Sequence, residues 1–210
     1  MSLAMLLNLA DSRLPIGGHV HSGGVEEAVS SGVVRDVATV ELYLRRRIRT
    51  SGLVTASLAA AVCAGTLDPA RAEAEADART PSPAARTASR AQGRGLLRLA
   101  KQVWPQADWR ALGARPHLST VFGVVGAVAG VSPEEVAGVV VYTAMTGAAT
   151  AAQRLLALDP AAVAACTIRL SETCDRTARE ATKELAALSD PLQDVLAERH
   201  VGRDMPLFAS

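Results

Sequence analysis

The sequence predicts an all-α fold, a single helical bundle, and three observations carry that prediction. Alanine makes up roughly a fifth of the chain while aromatic residues are only 3%, a balance that favours closely packed helices over a β-sandwich or barrel. No segment sustains the polar–apolar alternation of a half-buried strand. Helix-start signals recur along the chain, at Asp36, Asp68-Pro69, Ser132-Pro133-Glu134-Glu135, Asp159-Pro160 and Asp190-Pro191. In each an oxygen-bearing side chain can cap the first turn, and a proline often follows where no backbone donor is needed.

The elements follow from these marks. Glu26 and Glu27 suit the positive end of a helix that begins after a glycine-rich run. From Asp36 to Ala64 a helix runs without proline, with Val40, Leu44 and Ile48 near one face. Residues 70–79 alternate alanine with charge, which predicts an exposed helix leading into a loop at 80–83. A helix resumes over 84–103 on Leu96, Leu97 and Leu99, with Gly93 and Gly95 marking a kink or a close backbone contact. Residues 105–112 read as a short helical turn carrying Trp109, and 118–129 as a compact apolar helix. The capping box at Ser132 and Glu135 opens a helix to about Leu158, which absorbs the β-branched Val139-Val140-Val141. The two remaining helices run from Asp159-Pro160 to about Leu188 and from Asp190-Pro191 to near Gly202. With 49% hydrophobic and 20% charged residues, all 210 positions form one domain, 1–210, with a partly flexible tail at about 203–210.

Composition also excludes function classes. A net charge of +1 gives no broad footprint for nucleic acid. Lys101 and Lys183 are the only lysines, and neither stands in a Gly-Lys-Ser/Thr setting, so the chain has no Walker A loop. Cys63, Cys166 and Cys174 follow no metal or redox spacing and read as small apolar residues of a reducing compartment. The N-terminal stretch has no basic n-region and long apolar run, so no signal peptide is expected. The longest uncharged run, 136–153, reads as a buried core helix rather than a membrane span. The expected location is the cytoplasm.

Four segments invite functional readings. Gly17-Gly18-His19-Val20-His21-Ser22-Gly23-Gly24 packs four glycines into eight residues. His19 and His21 are two imidazoles, of a kind that suits nickel, copper or zinc. Val20-His21-Ser22-Gly23-Gly24 is a near miss of a nucleophile elbow, and the same run before a helix resembles a phosphate cradle without a nearby base. The competing reading is a tight turn that packs backbone on a neighbour. Arg45-Arg46-Arg47-Ile48-Arg49 reads as a solvated face, or as a surface for an acidic protein. The pairs Gly123/Ala127 and Gly126/Gly130 allow close helix approach, inside one subunit or across a dimer seam. Met205-Pro206-Leu207-Phe208-Ala209-Ser210 leaves two large apolar side chains near the end of the chain, either fraying or forming a docking segment. No paired carboxylates or catalytic triad stand out.

Taken in order, the segments resemble the urease accessory protein UreF family over nearly the whole chain. The anchor is Leu14-Pro15-Ile16-Gly17-Gly18-His19-Val20-His21-Ser22-Gly23-Gly24-Val25-Glu26. Secondary matches are Gln92-Gly93-Arg94-Gly95-Leu96-Leu97, His117 with Val121-Phe122-Gly123, Gln153-Arg154-Leu155, Arg199-His200, and Leu207-Phe208 with Ser210. The resemblance implies an all-α, cytoplasmic homodimer without catalysis of its own and with no resident cofactor. It implies a bridge between a second accessory protein, UreD (also called UreH), and the GTPase UreG on apo-urease, with nickel passing through the complex as cargo.

By the same resemblance Pro15, Gly17, Gly18, His19, His21, Ser22, Gly24 and Glu26 face the GTPase or lie near the dimer axis. Arg199, His200, Leu207, Phe208 and Ser210 face UreD, and Phe122, Gly123, Gly126 and Ala127 are core or dimer seam. A nickel-binding metallochaperone using His19 and His21 is the alternative. Three positions depart from the family pattern: His19 replaces an aromatic residue, Pro206 an arginine and Val201 a glutamate.

Overall fold

The computed structural model describes residues 2–16, 21–202 and 207–208. Among the described residues it is all-helical: α1 (Leu3–Leu9), α2 (Val25–Ser30), α3 (Val37–Arg47), a π-helical turn (Ile48–Gly52), α4 (Leu53–Cys63), α5 (Pro69–Arg79), α6 (Pro83–Val103), α7 (Leu118–Ala129), α8 (Pro133–Leu156), α9 (Pro160–Arg169), α10 (Ser171–Ala181) and α11 (Pro191–Val201). The predicted caps are in place. Asp36, Asp68, Ser132, Asp159 and Asp190 each accept a first-turn backbone N–H, and the Ser132–Glu135 box is closed in both directions.

α4 is the centre of the molecule. Leu53, Val54, Ala56, Ser57, Leu58, Ala59, Ala60 and Val62 are all buried, and a helix apolar on every side must be enclosed by others. α7, α8 and α10 enclose it. Small residues make that possible: a methyl group on Gly123 would lie 2.5 Å from Val62 Cβ, and one on Gly126 would lie 2.2 Å from Val136 Cγ2. Gly123 and Gly126 therefore serve packing within the chain, while their pair-mates Ala127 and Gly130 do not. Phe122 is buried beside Gly123, Ala127 is exposed, and Gly130 ends α7 in the left-handed conformation, φ +68°. α8 is long and apolar enough to cross a bilayer, yet more than half of its most apolar stretch is buried against its neighbours, as in a core helix.

A second, polar junction fastens α5, α6 and α7. α7 has no side-chain cap of its own. Instead Glu73 Oε1 accepts the His117 N–H (2.9 Å), and Ser89 Oγ accepts the Leu118 N–H (3.2 Å). The buried His117 ring bridges Ser89 Oγ (3.0 Å) and Asp77 Oδ1 (2.9 Å), while Arg90 clamps Glu73 and Asp77 together. Burial pushes the Asp77 carboxyl up, but the bonds from His117 and Arg90 outweigh it and hold it below its ordinary value. Serine, histidine and aspartate here supply the helix end with the partners it would otherwise lack.

Five elements differ from expectation. α1 was not foreseen. The helix from Asp36 widens at Ile48–Gly52 into a π turn. α5 is less exposed than its composition suggests, because Ala72 and Ala76 pack on Val54, Leu58, Val62 and Leu67. Residues 105–112 form non-helical turns, where the Trp104 carbonyl takes the Trp109 indole N–H at 3.1 Å. The helix expected over 160–188 bends at the fully buried Leu170 and stops at Ala181, so that both halves lie on α8. Beyond it, Ser57 Oγ and Arg79 satisfy the Ala186 backbone from α4 and α5, which makes helical bonds unnecessary there.

Gly93 confirms the close-contact reading: a methyl group there would sit 2.1 Å from the Pro116 carbonyl oxygen. Gly93→Ala is expected to destabilise the protein by about 1–3 kcal/mol despite alanine's better helix propensity. Gly113, with nothing within 4 Å, is the control, and Gly113→Ala should leave the urea midpoint nearly unchanged. Equal midpoints for both variants would contradict the packing.

Candidate functional site

The functional candidates converge on one junction, and α11 builds it. Arg46 and Arg47 at the end of α3 and Thr50 and Ser51 in the π turn line a face that meets the start of α11. Asp190, almost fully buried, accepts from Arg46 Nε (2.9 Å to each carboxylate oxygen), from Thr50 Oγ1 (3.0 Å) and from the Gln193 N–H (3.3 Å). Burial pushes its carboxyl up, but these bonds hold it below its ordinary value. Gln193 Oε1 accepts from Ser51 Oγ at 2.7 Å and, more weakly, from Arg47 Nη1 at 3.4 Å. The arginine run is therefore tied inward at Arg46 and Arg47, with Arg45 paired to Glu41, and only in part a solvated face.

On this base sits the glycine turn. Gly23 and Gly24 have φ of +61° and +87°, which L side chains rarely adopt. The Gly23 carbonyl accepts from Arg47 Nη1 (2.7 Å) and from Tyr43 Oη (3.1 Å). Burial pushes the Tyr43 phenol up, so it stays protonated and donates. A methyl group on Gly24 would lie 3.2 Å from Tyr43 Oη and 3.5 Å from Leu196 Cβ of α11. The tight-turn reading is thus the observed one at Gly23 and Gly24. Ser22 is buried and its Oγ takes the Glu26 N–H at 3.4 Å, which makes it a helix-end acceptor.

The C-terminal segment closes over the same place. Glu26, 3% exposed, accepts the Leu207 N–H (2.8 Å) on one carboxylate oxygen and the Phe208 N–H (3.0 Å) on the other. His200 Nε2 donates to the Phe208 carbonyl at 3.1 Å. The Phe208 ring is buried in the main core, and the Arg154 guanidinium lies 5.3 Å from its centroid. Arg199 pairs with Glu27 at 3.4 Å. The expectation that Leu207 and Phe208 both stay outside the core therefore holds for Leu207, which is 79% exposed, and fails for Phe208. The buried carboxylate of Glu26 supplies the reason, since it offers the Leu207 and Phe208 amides better partners than fraying would leave.

Residues expected to serve two separate faces are brought together: Ser22, Gly24 and Glu26 with His200, Leu207 and Phe208. Pro15 is exposed, and His21 is half-buried beside a cavity of about 280 Å³ that Ser22, Arg47, Ser89, His117 and Gln193 also line. Gly17, Gly18, His19, Val20, Arg203, Pro206 and Ser210 lie outside the described residues. Among the described residues no three His, Cys, Asp or Glu side chains group as a metal site. All three cysteines are free thiols, and burial pushes Cys174 up to about 11. The sequence marked Asp190 as a helix cap and Arg47 as part of a charged run, without joining them, and gave no signal for Tyr43 or Gln193.

A sequence model of the UreF family matches residues 34–171. The chain is 69% identical to the "Urease accessory protein UreF" of Mycolicibacterium vanbaalenii, over 100% of this chain and 99% of that protein. It is 64% identical to the protein of the same description from Mycobacterium marinum and 61% identical to that from Mycobacterium tuberculosis, with the same coverage.

Two measurements test the junction. Asp190→Asn should lower stability at pH 7 by about 1–3 kcal/mol. The native carboxyl is held below 3.8, so its contribution is present above that value and fades as pH falls through the lowered one. The gap between wild type and variant in urea unfolding should therefore narrow at pH 3; a gap that widens contradicts the assignment. Glu26→Gln leaves one acceptor oxygen for two donors, so hydrogen exchange at the Leu207 and Phe208 amides should accelerate at least about tenfold, while α4 amides stay protected. Unchanged exchange would detach Glu26 from the tail.

Proposed function

The chain belongs to the UreF family of urease accessory proteins, whose role is urease maturation, and from that premise we propose that it is a non-catalytic scaffold for nickel insertion. It joins the second accessory protein, UreD or UreH, to the GTPase UreG on apo-urease, and it regulates the GTPase cycle. Nickel is cargo in this scheme. The absence of a Walker A loop agrees with it, because the nucleotide chemistry then belongs to the partner.

One observation carries the reading: Glu26 meets both segments, its backbone N–H on Ser22 Oγ at the glycine turn and its buried carboxylate on the Leu207 and Phe208 amides of the C-terminal segment. A scaffold that holds two partners gains from having both docking segments on one stiff junction, since order at one then supports order at the other. Among the described candidate residues Pro15, Arg199 and Leu207 are exposed, and they are the surfaces a partner would meet. Homodimerisation belongs to the same proposal, with a seam outside Gly123 and Gly126, whose faces are filled within the chain. Cytoplasmic residence is proposed on the three free thiols.

The test is reconstitution of apo-urease with nickel, GTP, UreD and UreG, with and without this chain, reading urease activity and GTP turnover together. Addition of the chain should raise activity and shift the GTP hydrolysis rate, and the chain should copurify with both accessory partners. No gain in activity and no complex in any nucleotide state would sink the proposal.

A further inference from the structure

α6 carries a stripe of five cations, Arg86, Arg90, Arg94, Arg98 and Lys101, and no acidic residue in its 21 positions. The first four recur every fourth residue, so they occupy one side of the helix and drift by about 40° per step. The stripe is divided sharply. Arg90 pairs with Glu73 (2.9 Å) and Asp77 (2.8 Å) of α5, and Arg86 approaches Asp77 at 3.9 Å. Arg94, Arg98 and Lys101 are exposed and form no ion pair with any described residue.

The fold explains where the pairing stops. The carboxylates Glu73 and Asp77 stand one turn apart on α5, and both reach Arg90. The next acid toward the start of α5, Asp68, is taken up as its cap, accepting the Arg71 N–H at 2.9 Å, and forms no ion pair with Arg94. Like charges at this spacing repel along a helix. The helix dipole accounts for Lys101 in the last turn and leaves Arg94 and Arg98, which lie before it, unexplained. Gly95, between them, packs against the Ile16 backbone, where a methyl group would lie 2.8 Å from Ile16 Cα. The unpaired stripe thus borders the segment that leads into the glycine turn.

We propose that Arg94, Arg98 and Lys101 form a docking surface for an acidic helix of a urease-maturation partner, which continues along α6 the pairing that α5 begins. The inference rests on the function proposed above and adds the partner's chemistry: carboxylates one helical turn apart. A protein is favoured over nucleic acid because the stripe is short, no aromatic side chain alternates with its cations for base stacking, and the chain's net charge is +1. α5 also demonstrates on this same helix that carboxylates, spaced one turn apart, satisfy such arginines.

The experiment compares three full-length proteins in the reconstituted maturation assembly: wild type, Arg94→Glu/Arg98→Glu/Lys101→Glu, and the control Arg176→Glu/Arg179→Glu/Lys183→Glu on α10 and the turn that follows it. Association with purified apo-urease, UreD and UreG is measured across a salt series, with circular dichroism and urea midpoints as a check on folding. A milder Arg94→Ala/Arg98→Ala variant covers the case in which charge reversal unfolds α6. The α6 variants should weaken association with one partner at least about tenfold at low salt and flatten its salt dependence, with the control near wild type. If wild type and α6 variants assemble equally, the docking surface is refuted while the scaffold function stands. Loss of binding only to RNA or to phosphatidylserine vesicles would overturn it in favour of those ligands. If wild type joins no complex, the scaffold reading fails and this inference falls with it.

Discussion

The buried carboxylate of Asp190 is the contact on which the rest of the site depends. It caps α11, and it accepts Arg46 from the end of α3 and Thr50 from the π turn that follows. One side chain thereby fixes the start of α11 against α3 and the π turn. Everything further along α11 inherits that position: Leu196 beneath Gly24, Glu198 on Ser82 and the Ala84 N–H at the start of α6, and His200 on the Phe208 carbonyl. A buried ion pair with added hydrogen bonds does little for net stability against an apolar alternative, but it specifies one arrangement among many. Here that arrangement decides where the glycine turn and the tail meet.

The π turn is the backbone counterpart of that contact. Arg46 with Thr50 and Arg47 with Ser51 are spaced four residues apart, which puts all four on one side of the helix, and that side meets Asp190 and Gln193 at the start of α11. Such turns are concentrated at functional sites, and this one lies directly beneath the Gly23–Gly24 turn, where Arg47 reaches the Gly23 carbonyl. The polar fastening of α7 by Glu73, Ser89 and His117 follows the same logic: an end without a cap of its own borrows one from neighbouring helices.

The arginines divide by what surrounds them. Arg46, Arg47 and Arg90 are consumed inside the fold, Arg154 covers an aromatic ring, and Arg94 and Arg98 face solvent. The fates of Arg46 and Arg47 are not legible from the run 45–49 alone, because their partners Asp190 and Gln193 lie more than a hundred residues away. The helix starts at Asp36, Asp68, Ser132, Asp159 and Asp190 were legible, because a cap is a local bargain between a side chain and the next three N–H groups. The end of the helix after Asp159 was not, because Ser57 and Arg79, remote in sequence, stop it.

By itself the sequence determined the helical class, nearly every helix start, the tight approach at Gly93 and the family. These rest on propensity, capping and order of motifs, all of which act over short stretches or in sequence order. Only the tertiary structure decided that the Gly123 and Gly126 faces are filled from within, that Phe208 turns inward, and that Glu26 joins the glycine turn to the tail. Those are questions of which distant groups become neighbours, and burial makes the answer strict: a carboxylate removed from water must find donors, wherever in the chain they lie.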